Sequence, residues 1–142
     1  MTIDLFAAQN HVKRDKVLEW ISKGLIPGAH DDYIPEHARR PYTRARAKNG
    51  QGIIKSILTA CDNKYGICAS LYHISEAEFC SYINGLLDAG HIDKFEEDGI
   101  VYYNISASGV ELLKNWNKKD VIAIVQTLVA IAGVVVPVLS AV

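Results

Sequence analysis

Lys13, Arg14 and Lys16 stand within four positions, and Lys23 follows seven residues later. Arg39, Arg40, Arg44 and Arg46 then crowd the segment 37–48, which also carries Lys48 and holds no acid. Guanidinium and ammonium groups at this density are chemistry for phosphate, which they neutralise with release of bound counterions. Pro41 breaks any helix running from Arg39 to Arg44, so this stretch is expected to be a flexible arm suited to phosphates or a narrow minor groove. Tyr42 adds a ring and a hydroxyl. The candidate DNA-binding residues are therefore Lys13, Arg14, Lys16, Lys23, Arg39, Arg40, Arg44 and Arg46. Two competing assignments stand beside this one. The lysines can form a solvated helix face, and the arm can pair with acids of its own chain.

No other chemistry is legible. There is no phosphate loop, no nucleophile motif and no Cys–His or carboxylate pair at a catalytic spacing, so no enzyme is expected. Cys61, Cys68 and Cys80 are odd in number and too widely spaced for a zinc knuckle. They are expected to be small buried hydrophobes in a reducing cytosol. His30 beside Asp31 and Asp32 suits a polar loop better than a metal, and no metal or cofactor is expected. His91 follows Gly90 at a helix end, where a cation would suit the helix dipole. Residues 1–10 have neither the basic lead nor the apolar core of a secretory signal.

Charge divides the chain in two. Residues 1–64 carry eleven cations against seven acids, a surplus of +4; residues 65–113 carry Lys94 against eight acids, a balance of −7. Such asymmetry suggests a different partner for each half.

The elements that must position the cations follow from apolar spacing. Over 3–21, Ala7 is small where two helices would cross. His11-Val12 falls at the turn, and Val17, Trp20 and Ile21 recur at helical spacing. These are the requirements of a helix-turn-helix whose second helix exposes Lys13, Arg14 and Lys16. Gly24 ends that helix, and Tyr33-Ile34-Pro35 reads as a short extended piece. Over about residues 2–36, Trp20-Ile21 through Leu25-Ile26-Pro27-Gly28 and Ile34-Pro35 resemble the winged helix-turn-helix of the excisionase and MerR-like regulators. The resemblance implies that Lys13, Arg14 and Lys16 open the recognition helix and that Lys23 lies near its end. One position departs from it: the turn usually holds Gly, and here it holds His11, a residue tolerated at positive φ.

In the second half, Ile53, Ile54, Ile57 and Leu58 mark an amphipathic helix over 52–60. Ser75 caps a helix that buries Phe79, Tyr82, Ile83, Leu86 and Leu87 and stops at Ala89-Gly90. Two strands, Ile92 to Phe95 and Ile100 to Ile105, flank a turn at Asp98-Gly99. Ser106 then opens a last helix through Val110, Leu112, Leu113 and Trp116. Over about 52–114, Leu86-Leu87-Asp88-Ala89-Gly90-His91-Ile92 and Tyr103-Asn104-Ile105-Ser106-Ala107-Ser108-Gly109 resemble the corresponding segments of winged-helix regulators. The charge does not fit DNA. The presumptive reading helix offers Glu76, Glu78 and Asp88, and the hairpin tip offers Glu96, Glu97 and Asp98, all of which phosphate repels. Protein contacts, between copies or with a basic partner, are expected here.

From Val121 to Val142 no side chain is charged. As a helix this run is about 30 Å long, the thickness of a bilayer's hydrocarbon core. An all-round apolar helix must be buried in lipid or in protein. The expectation is thus a mainly α protein with small β-hairpin wings. It comprises a winged helix-turn-helix with a basic arm (1–50), an acidic winged-helix module (51–117) and a hydrophobic C-terminal helix (118–142). Its expected function is DNA-binding regulation without catalysis, by a homo-oligomer on double-stranded DNA. The tail would anchor a cytoplasmic head to the inner membrane or form an oligomer core. The alternative is an interaction or structural protein assembled through its tail.

Overall fold

Thr2 opens the first helix by accepting a hydrogen bond from the Leu5 N–H, and Asp32 accepts another from the Ile3 N–H. The helix α1 spans Ile3–Gln9, and α2 follows at Arg14–Ser22. Between them His11 takes φ 54°, the left-handed conformation the turn demands. The turn closes with Val12 N–H donating to the Ala7 carbonyl. Lys23 and then Gly24 (φ 69°) end α2. Ile3, Phe6, Ala7, Val17, Trp20, Ile26 and Ile34 form one apolar core, with Val12 packed on its edge. His30 and Tyr33 pair across a two-residue turn, and Met1 and Ile34 exchange both backbone hydrogen bonds. The computed structural model describes residues 1–45 and 49–140, without the side chains of 120 and 131–140. Arg46 and Lys48 of the basic arm lie outside the described residues.

The second core is larger. Helix α3 (Gly50–Asp62) is capped by Asn49 and α4 (Glu76–Asp88) by Ser75. Strands β1 (Ile92–Glu97) and β2 (Ile100–Ile105) pair antiparallel, Phe95 opposite Tyr102. Their turn holds Asp98 at φ 53° and Gly99 at φ 79°, the two positive values of a tight hairpin. Ser106 caps α5 (Ala107–Lys114). Ile54, Ile57, Leu58, Tyr82, Leu86, Ile92 and Leu112 pack together inside. A short 3-10 helix, Ala69–Tyr72, links α3 to α4 and buries Tyr72. Four residues carry no readable period, so nothing in the sequence announces it.

The last helix, α6, spans Lys119–Ser140. Val121, Val125 and Leu128 are buried in the second core, where α6 lies along α4 and touches α3. A Cβ on Gly50 would stand 2.8 Å from both the Tyr82 hydroxyl and a Val129 methyl, so this close approach requires glycine. Among the described residues no helix is long and apolar enough to cross a membrane. The apolar run thus has a partner that its composition could not reveal: its first turns belong to the core of the same chain. Ala123, Gln126 and Thr127 look outward.

Three further expectations are corrected. Cys61 is buried, with its thiol pushed up to about 12 by burial, but Cys80 is exposed. His91 is buried rather than a surface cation, and burial lowers its pKa. The arm is not free along its length: Arg39 bonds to Asn104 and Arg40 to the Asn10 carbonyl.

Candidate nucleic-acid interface

Helix α2 has no side-chain cap: Lys13 occupies the cap position and its side chain bonds nothing there. The first N–H groups of a helix have no partner within it, and they carry the positive end of its dipole. An anion is the natural partner at such an end. Lys13 is exposed and forms no ion pair among the described residues. Arg14 donates to Asp4 at 2.8 Å, and that hydrogen bond, then the Asp4 charge, raises its pKa. Lys16 and Lys23 both reach Glu19, at 3.3 and 2.7 Å. The hydrogen bond from Lys23, then that from Lys16, lowers the Glu19 pKa.

The face is therefore less cationic than its lysines suggest. Lys13, Arg14, Lys16 and Lys23 stand against Asp4, Asp15 and Glu19, a formal surplus of +1. All three ion pairs are exposed. Exposed pairs are screened by salt and weak, so each cation can exchange its carboxylate for a phosphate at little cost. The Glu19 pairing was legible in advance, since Glu19 stands three residues after Lys16 and four before Lys23.

The arm behaves differently. Arg39 donates to the Tyr103 carbonyl and, at 2.6 Å, to Asn104 Oδ1. Its guanidinium lies over the Phe95 and Tyr102 rings, 5.7 and 5.6 Å from their centres. Burial lowers its pKa. Arg40 points the other way. It donates to the Asn10 carbonyl at 3.1 Å and lies 5.6 Å from the centre of the Trp20 ring. The reason is the extended backbone, whose successive side chains take opposite sides. Gly66 N–H donates to the Arg40 carbonyl and Tyr42 N–H to the Gly66 carbonyl, both at 2.8 Å, fixing this strand-like piece on the second core. Arg39 and Arg40 thus hold the two cores together. Arg44 is exposed, and Arg46 lies outside the described residues.

Internal pairing with the acidic half, the rival to a DNA-binding arm, occurs at His37, whose Nε2 stands 2.9 Å from Glu97 Oε1. Arg39 instead pairs with a carbonyl and an amide. No sequence signal announces a partner 64 residues away. Gly28 (φ 80°) completes the junction, since a Cβ there would stand 2.6 Å from Ile100 Cδ1. His30 Nδ1 lies 3.2 Å from the Gly28 carbonyl, and Asp32 caps α1. Among the described residues no group of three or more His, Cys, Asp or Glu side chains could hold a metal.

On the second half, α4 presents Glu76 and Glu78 in its first turn, and Glu96, Glu97 and Asp98 are exposed at the hairpin tip. No cation stands on α4.

Comparison with protein-family models, curated proteins and solved structures finds no match for this chain.

Proposed function

We propose that the chain is a DNA-binding regulatory protein that works by occupancy, without catalysis, and that α2 is its recognition helix. The observation that carries this reading is the α1–turn–α2 unit. His11 sits in the left-handed conformation at the turn, Ala7 and Trp20 are buried behind it, and Lys13, Arg14 and Lys16 open α2 on the solvent side. A helix so presented enters a major groove with its N-terminal residues toward the bases. In this reading the segment 27–35 is a small wing, and the α3–α4–hairpin–α5 unit is a second winged helix given over to protein contacts. Its acids suit a basic partner or a second copy, and a homo-oligomer would supply the second recognition helix that one short helix needs for specificity. A tether at the inner membrane through α6 belongs to the same proposal.

The test is the affinity of the full chain for duplex DNA over a range of salt. Binding should weaken steeply as salt rises, with a log–log slope of about −0.9 per phosphate contacted. Lys13→Glu with Lys16→Glu should weaken it at least about tenfold and leave the circular dichroism unchanged. Equal affinity in wild type and variant would overturn the assignment of α2.

The second reading is an interaction or structural protein, and the wholly acidic face of α4 and the hairpin tip favours it. It predicts concentration-dependent, salt-insensitive assembly that is lost on deleting 131–142, a cut that spares Val121, Val125 and Leu128 of the core.

A further inference from the structure

The α1–α2 turn and the end of α3 face each other across a cleft of about 350 Å³. Its charged lining is cationic throughout: Arg39, Arg40 and Lys64, with no carboxylate among the lining residues. Gln9 and Asn63 add amides and His11 an imidazole. We propose that this cleft binds a phosphate group.

The bland explanation for cations here is compensation of helix C-termini, because α1 ends at Asn10 and α3 at Asn63. Two observations weigh against it. The backbone already closes both ends. His11 and Val12 N–H donate to the Ala8 and Ala7 carbonyls, and Lys64 and Tyr65 N–H donate to Cys61 and Ala60. His11 and Lys64, at φ 54° and 57°, make both closures possible. Arg40 alone of the three cations serves a helix-end carbonyl, that of Asn10. The magnitudes agree. Arg39 turns its guanidinium to Tyr103 and Asn104, and each helix C-terminus is worth about half a negative charge, so the two ends offset about one of the two remaining cations, Arg40 and Lys64. The surplus of about +1 answers the single charge of a phosphodiester and half or more of the roughly −1.5 to −2 that a monoester carries near neutral pH.

Arg40 keeps donors beyond the one given to Asn10, since a guanidinium has five N–H groups in a fixed fork. With the Lys64 ammonium and the amide donors of Gln9 and Asn63, the cleft offers phosphate oxygens charge and hydrogen bonds together. Its place between the cores means that an occupant touches both and would tighten their junction. The site is separate from the exposed face of α2 and does not depend on the regulator reading. The phosphate can be that of a free phosphate or monoester, or a phosphodiester of nucleic acid.

The test is amide chemical shifts of the full chain, with inorganic phosphate, with chloride at matched ionic strength, and with a short DNA duplex. Saturable shifts of the Gln9, His11, Asn63 and Lys64 amides with phosphate and not chloride would establish a free-phosphate site. The same amides moving with duplex and not with inorganic phosphate would place a backbone phosphodiester there. Lys64→Asn removes the charge with a residue that accepts the left-handed conformation, and it should weaken either effect about tenfold. Arg40→Gln also breaks the junction, so Lys64→Asn is the deciding variant. Lys13→Glu with Lys16→Glu should leave the phosphate shifts in place, which separates this site from α2. No shift of these amides with either phosphate source, or undiminished shifts in Lys64→Asn, would overturn the proposal.

Discussion

Helices α2 and α4 are each followed by a turn closed on a positive-φ glycine, Gly24 or Gly90. They differ in what their N-termini show to solvent. Ser75 caps α4 and Glu76 and Glu78 fill its first turn, so its dipole is already answered. Lys13 leaves α2 uncapped, and with Arg14 and Lys16 it outweighs the single acid of that first turn, Asp15. That choice is poor for the stability of a nine-residue helix and good for attracting an anion. The α4 terminus is answered within its own helix, and the α2 terminus is left open.

The sharpest way to break this contrast is to reverse the lysine charges of α2 and to neutralise the acids of α4. Lys13→Glu with Lys16→Glu should lower duplex affinity at least tenfold and flatten the salt slope by about two units, whereas Glu76→Gln with Glu78→Gln should leave both nearly unchanged. A larger effect from the α4 pair would reverse the assignment of the two faces. Next in size is Trp20→Ala, which should cost about 3–5 kcal/mol. Calorimetry of that variant also asks whether the cores are coupled. One cooperative transition shifted down means that Arg39 and Arg40 hold them as a unit, and two separated transitions mean that they melt alone.

Arg39→Ala is a smaller perturbation. It removes two hydrogen bonds from a charged donor and a stacking partner for Phe95 and Tyr102, a loss of about 1.5–3 kcal/mol. Urea melts would read it, and a cost near zero would remove Arg39 from the junction. Ser106→Ala should cost about 1 kcal/mol by freeing the Gly109 N–H. The smallest effect is with pH. His91 is buried with its pKa lowered, and its Nδ1 is 2.8 Å from the Ser108 hydroxyl. Below the ordinary histidine pKa the unfolded chain binds a proton that the folded chain resists. Stability is therefore full above that pH and falls as pH drops toward the lowered value. His91→Asn should flatten this part of the thermal-stability profile, and an unchanged slope would assign the dependence elsewhere.

Most of the frame was legible because it is local. Ser75 and Ser106 cap where their types predict, Asp98-Gly99 makes the tight turn, and His11 accepts the left-handed position that glycine usually fills. What was not legible depends on distant partners. Arg39 and Arg40 look identical to free cations in the sequence, and only the fold hands one to each core. Val121, Val125 and Leu128 do repeat at helical spacing, but the run around them is apolar too, so no stripe stood out. The candidate face on α2 was visible, whereas the carboxylates that partly neutralise it required pairing arguments across and within helices.

The Arg39 contact also dictates an order of events at birth. Residues 1–38 contain their own core, so that part can collapse as soon as it emerges during synthesis. Its clasp on the rest waits for Tyr103, 64 residues later in the chain. At translation speeds of 5–20 residues per second, the nascent chain spends about 3–13 s with Arg39 exposed and the hairpin unmade. During that interval α2 would already be folded beside an arm whose Arg39 has no partner, before the acidic half exists.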